Sequence, residues 1–236
     1  MKHIALAATL SLWPLAATAQ DWSYSLSPYV WGAGLSGDTK QFGLPAVHLD
    51  LGFGDVIENL DFAVMLAAEA RRGGISFWGD LIYTDLSADA RTSHGIVVDR
   101  VKGGARSFVG TIGAGYSVVN DDRSTLDLVG GLRIWDVKST LDFHGGILDG
   151  RSGRESAGWV DAMVGARFKH RLSGETYLSG WALAGGGGAD VDWDIAAMIG
   201  HDLNERVSVN LGYRVLGVGY DDGSFAWDVI RAAQTG

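Results

Sequence analysis

The chain has 236 residues, a net charge of −9, 35 glycines, nine tryptophans, three prolines and no cysteine. Acidic residues spread along the chain leave no basic footprint for nucleic acid. The lack of cysteine excludes disulfides and thiolate chemistry. Past the N-terminus no stretch reaches the ~18 apolar residues of a membrane-spanning helix, so the glycine- and aromatic-rich remainder points to many short strands.

Lys2 and His3 precede an apolar run over Ile4–Leu15, and Ala17, Thr18 and Ala19 supply small residues at cleavage positions. The run is too short to span a bilayer. Residues 1–19 therefore read as a secretory signal peptide cut after Ala19, and 20–236 as one domain.

The first strand is expected over Trp22–Leu35, with Trp22, Tyr24 and Leu26 on one face and Ser23, Ser25 and Ser27 on the other. Pro28 is unusual inside a sheet and implies a bulge or a rim position. Ser36–Leu60 is a long connection; its alternating patch His48–Phe53 is either a small hairpin or packing at a mouth, and Asp55 could cap a helical turn. A second strand, Asp61–Arg71, turns through Gly73-Gly74 into a third, Ile75–Asp85. Leu86–Gly103 reads as a long polar loop.

The next hairpin, Ser107–Val137, carries the plainest pattern. Leu126, Leu128, Leu132 and Ile134 share one parity, and Asp127, Val129, Arg133 and Trp135 the other. Residues of one parity lie on one face of a strand, so one face is apolar and the other bears an acid and a base. After a glycine-rich loop, Lys138–Ser156, further strands are expected over Ala157–Arg171, Thr176–Gly185, Asp190–Asp202, Val207–Tyr220 and Phe225–Gln234. Long and short connections mostly alternate, as in barrels with long outer loops and tight periplasmic turns. The expected fold is all-β: a closed antiparallel up-and-down transmembrane β-barrel of about ten strands, with 8–12 as the range. A soluble sandwich is the alternative.

Three motif groups, Ser27-Pro-Tyr-Val-Trp-Gly-Ala-Gly34, Asn59-Leu-Asp-Phe-Ala63 with Glu69-Ala-Arg-Arg-Gly73, and Gly212-Tyr-Arg214 with Tyr220-Asp-Asp-Gly223, resemble a family of uncharacterised outer-membrane β-barrel proteins of Gram-negative bacteria. In architecture these are small OmpA- and OmpW-like barrels. The resemblance implies a fold and a location, with no activity or catalytic residues to carry over.

The lumen parity collects Asp61, Glu69, Arg71, Asp80, Asp127, Arg133, Asp161, Arg167, Lys169, Asp194 and Arg214. Near-balanced charges suit a self-satisfied interior, because buried charges must be paired. Small barrels are also filled by their own side chains. Trp22, Tyr83, Tyr116, Trp193 and Tyr213 fall on the lipid parity as an interfacial girdle, while Trp31, Trp78, Trp135 and Trp181 share lumen parity as core filling.

Other patterns carry less. Asp190-Val-Asp-Trp-Asp194 opens like a calcium loop but has Ile195 and His201 where Gly and Glu are needed. Gly185–Gly188 is followed by no Lys-Ser/Thr. His48, His94 and His144 lie in loops without metal-ligand spacing, and Ser93-His94 has no orienting third group. No metal, cofactor or enzymatic activity is expected. The leading reading is an outer-membrane barrel with a charged, plugged lumen and a structural or surface-interaction role; a narrow passive channel and a rim-sited hydrolase are the alternatives. Expected partners are outer-membrane lipid and lipopolysaccharide, with the barrel-assembly machinery and periplasmic chaperones during biogenesis. A monomer with periplasmic termini is expected.

Overall fold

The computed structural model describes residues 22–43, 45–91, 99–204 and 207–233. The signal peptide expected over 1–19, and Ser93 and His94, lie outside them. Strands dominate: β1 (Ser23–Pro28), β2 (Ala33–Lys40), β3 (Val47–Leu51), β4 (Leu60–Arg72), β5 (Ile75–Arg91), β6 (Arg100–Asn120), β7 (Ser124–His144), β8 (Ser152–Ser173), β9 (Thr176–Gly187), β10 (Val191–Asp202), β11 (Ser208–Asp221) and β12 (Ala226–Ala233). They form one curled antiparallel sheet in the order β1-β4-β5-β6-β7-β8-β9-β10-β11-β12-β2-β3. Among the described residues no helix is long and apolar enough to cross a membrane.

Among the described residues twelve strands replace the expected ten, for two reasons. The first run breaks at Tyr29–Gly32, where Pro28 has no N–H to give a ladder; β1 then pairs with β4 and β2 with β12. The patch near His48 is itself a strand, β3, paired with β2. Directly after it α1 (Phe53–Glu58) forms, with Gly52 at its N-cap and the Asp55 carboxylate accepting the Gly52 N–H at 2.9 Å.

The second correction concerns loops. Most of Leu86–Gly103 and Lys138–Ser156 is strand: β5 runs to Arg91, β6 starts at Arg100, β7 continues to His144 and β8 starts at Ser152. Polar residues on both faces there removed the apolar stripe by which strands are recognised. The ladders β5–β6 and β7–β8 nevertheless continue without a break through these stretches. Phe42, at the β2–β3 turn, packs against Gly153 on β8, where an added Cβ would lie 2.9 Å from its ring.

The two faces differ as strand parity requires. On the convex face Tyr24, Leu26, Phe62, Phe77, Ile112, Leu128, Leu132, Ile134, Val164, Ile195, Ile199 and Leu211 are exposed. On the concave face of β7 alone Asp127, Val129, Arg133, Trp135, Val137 and Ser139 are all buried. Toward the long-strand end the concave side holds an apolar cluster of Ile82, Val109, Trp135, Val137, Trp159, Leu216, Val218, Phe225, Trp227 and Val229. Four of its rings form a series with Tyr220, which packs against the cluster: Trp135 stacks on Trp159 (5.5 Å between centroids), Trp159 on Tyr220 (4.1 Å), then Phe225 (6.4 Å) and Trp227 (6.3 Å). Gly37, at φ +147°, lets β2 approach β12; a Cβ there would meet the Asp228 carbonyl and Val229 Cα.

Two turns, one at each end of the sheet, are closed by carboxylates. Asp121 accepts the N–H groups of Arg123 (2.9 Å) and Ser124 (2.8 Å), and Asp222 accepts those of Phe225 (2.7 Å) and Ser224 (2.9 Å). Those backbone donors, Arg123 first for Asp121 and Phe225 first for Asp222, hold both side chains below the usual carboxylate range.

Candidate functional site: the charged interior

Two ion networks cross the concave side between strands far apart in sequence. The central one is built on Arg133 of β7 and Arg214 of β11. Arg133 is 1% exposed and donates from Nη1 to Asp192 (2.6 Å), from Nη2 to Asp194 (2.8 Å) and from Nε to Thr111 (2.9 Å). Arg214 reaches Asp194 through Nε (3.1 Å) and Nη2 (2.7 Å), and Asp80 through Nη2 (2.9 Å). Its Nη1 donates to the Tyr29 hydroxyl (2.9 Å), which donates onward to Asp80 (2.8 Å). Trp135 and Trp181 give their indole N–H groups to Asp192 (2.8 Å) and Asp194 (2.9 Å). The Arg214 guanidinium also lies over the rings of Trp31 (5.1 Å) and Trp181 (5.2 Å).

The second network lies nearer the short turns. Arg71 of β4 forms a bidentate pair with Asp127 of β7 and gives its Nε to Glu69 (3.0 Å). Ser117 donates to Asp127 (2.6 Å). Arg167 of β8 sits with Nη1 2.7 Å from Glu69, although its N–H is poorly aimed for a hydrogen bond, and its guanidinium covers Trp78 at 5.4 Å. A cavity of about 110 Å³ is lined by members of both networks, among them Glu69, Arg167, Asp80, Asp194 and Arg214.

These networks bring together Glu69, Arg71, Asp80, Asp127, Arg133, Arg167, Asp194 and Arg214 from the expected lumen set. Three expected members behave otherwise. Asp61 is exposed at the register shift between Leu60 and Phe62, which takes it out of the interior. Lys169 is exposed and lies over the Tyr177 ring at 3.7 Å. Asp161 is fully buried, but its partners are neutral: the Trp159 indole (3.0 Å) and the Ala189 N–H (2.8 Å), so it braces the β9–β10 turn.

Sequence reasoning missed four contributors. Asp192 shares parity with Asp194 and was legible. Tyr29 sits in the break after Pro28, where parity gives no guide. Thr111 and Ser117 carry no charge to mark them. The girdle residues lie on the convex face: Trp22 beside Phe77 (6.0 Å), Tyr83 edge-on to Phe62 (6.0 Å), Tyr116 and Tyr213 exposed, and Trp193 over Gly217. His48 pairs with Asp38 at 2.9 Å with both side chains exposed. Among the described residues no group of three or more His, Asp or Glu is arranged to hold a metal.

The central network satisfies its own charges. Each carboxylate of the central network has at least two donors, and both guanidiniums have carboxylate partners. No curated protein and no solved structure matches the chain. Residues 89–216, more than half of the chain, match the model of a protein family of unknown function, DUF481, and the chain belongs to that family.

Proposed function

We propose that this chain is an integral outer-membrane β-barrel protein with a plugged lumen and a structural or surface-interaction role. The observation that carries the reading is the contrast of faces: an apolar, exposed convex side against a concave side filled by Arg–carboxylate networks and stacked rings. Lipid can cover the first, and water has little room in the second. Closure of the barrel is supported by the short run Tyr29–Gly32, which links β1, paired to β4, with β2, paired to β12. The tight turns would face the periplasm and the long strands the exterior. In this reading the partners are membrane lipid and lipopolysaccharide, with assembly machinery and chaperones during biogenesis. The molecule acts as a monomer without enzymatic chemistry.

Planar-bilayer recording tests the plug. Purified protein should insert without steady ion current. A steady ion current through the unsubstituted protein would replace the plug with a channel.

A further inference from the structure

The second ion network is less complete than the central one. Arg167 of β8 approaches Glu69 to 2.7 Å through Nη1, but that nitrogen has no aligned acceptor. Among the described residues the rest of its guanidinium donates no hydrogen bond. Glu69 is also shared with Arg71, whose Nε donates to it. The guanidinium covers Trp78, which is 9% exposed and whose indole N–H has no acceptor either. Two inward donor groups, 5.4 Å apart from ring centroid to guanidinium carbon, therefore go unmet. Buried donors without acceptors are costly. The indoles of Trp135, Trp159 and Trp181 show the usual solution, each donating to a carboxylate.

Both donors face free space. Trp78 and Arg167 line the interior cavity of about 110 Å³, and the Arg167 side chain is 26% exposed. The charged residues of the cavity wall are Glu69, Asp80 and Asp194 against Arg133, Arg167 and Arg214, so the wall itself is neutral. Lys169 adds a cation beside it. It follows Arg167 on the same face of β8, about 7 Å along the strand. It is exposed, lies over Tyr177 and, among the described residues, has no carboxylate partner. Arg71 and Asp127 already complete each other as a bidentate pair. The place beside Arg167 thus lacks one negative charge and acceptors for two donor groups.

We infer that Arg167, Trp78 and Lys169 form a binding site for a small monocarboxylate. The inference stands on the packing of the concave side and goes beyond the membrane reading, which it does not need. The two oxygens of a carboxylate match the fork of a guanidinium, and one of them can also accept the Trp78 N–H. The single negative charge offsets Lys169, which guards the approach. A halide offers one point of contact and leaves the fork half used. A phosphate ester, at about −1.5 to −2, sets a second charge against Glu69. Water can accept from both donors but leaves the surplus cation unmatched. The carboxylate breaks no existing hydrogen bond, because neither Arg167 nor the Trp78 indole makes one among the described residues.

Saturation-transfer NMR on the purified protein in deuterated detergent tests the site, with sodium acetate as the probe at fixed ionic strength. The expected result is a saturable acetate signal, displaced by formate and poorly by chloride. Arg167→Gln should weaken acetate binding at least about tenfold, and Trp78→Phe, which keeps a ring and loses the N–H, about fivefold. Lys169→Gln, at an exposed position, should weaken it about threefold. Lys138→Gln removes a similarly exposed cation from the far end of the sheet and should leave binding unchanged. Three outcomes overturn the proposal: no saturable signal from the unsubstituted protein, displacement by chloride as effective as by formate, or equal binding by Lys169→Gln and Lys138→Gln. The two lysine variants decide the matter even where Arg167→Gln or Trp78→Phe fails to fold.

Discussion

The interior is filled in two different ways at its two ends. Toward the long strands the filling is apolar, with the ring series from Trp135 to Trp227 inside a cluster of aliphatic side chains. Toward the short turns it is ionic, with Arg71, Arg133, Arg167 and Arg214 tied to carboxylates on other strands. The apolar part gains from contact area and tolerates a changed shape. The ionic part is less forgiving: a guanidinium removed takes a cation from a buried carboxylate. Trp135 joins the two, stacking on Trp159 and donating to Asp192.

That contrast can be broken from the ionic end first. Arg133→Met leaves buried Asp192 with the Trp135 N–H but no cation and should cost about 3–5 kcal/mol of unfolding stability. Adding Asp192→Asn to it, with Asp194 kept as the partner of Arg214, should recover part of the loss. Denaturant titration in detergent measures both, and a single-variant cost below 1 kcal/mol would mean that the network adds little. From the apolar end Tyr220→Leu keeps the bulk and loses the stack on Trp159, an expected cost of about 0.5–1.5 kcal/mol. A loss as large as that of Arg133→Met would erase the distinction between the ends.

The smallest effect belongs to the turns. Asp121 and Asp222 have lowered folded pKa values, so their contribution is complete above the ordinary aspartate value of about 3.9. It fades only as pH falls through the lower folded value. Amide-exchange protection at Ser124 and Phe225 should therefore hold at pH 5 and drop under stronger acid. A drop already near pH 6 would assign the titration to other groups.

The parity of β7 was open to reading because one apolar and one charged face repeat every two residues, from Asp127 through Arg133 to Trp135. The same rule misplaced Asp61, since a register shift at Leu60/Phe62 resets parity without any mark in the sequence. It also hid the strand ends beyond Leu86 and Lys138, where pairing is carried by backbone groups and the side chains alternate nothing. Tyr29 was invisible for a third reason: its role depends on the strand interruption between β1 and β2 that brings it to Arg214, 185 positions away. Periodicity reports faces; it does not report which strands meet across the concave side.

The length of β5 to β8 has a mechanical consequence. A strand rises about 3.4 Å per residue, so the 21 residues of β6 and β7 reach roughly twice as far as the ~9–11 needed to cross a bilayer. These four neighbours lie on one flank of the sheet, so in the proposed membrane setting the surplus would form a stiff fin rather than an even collar. A load applied at its tip would act with a lever arm about as long as the membrane is thick, and would tilt the molecule before it bent a loop.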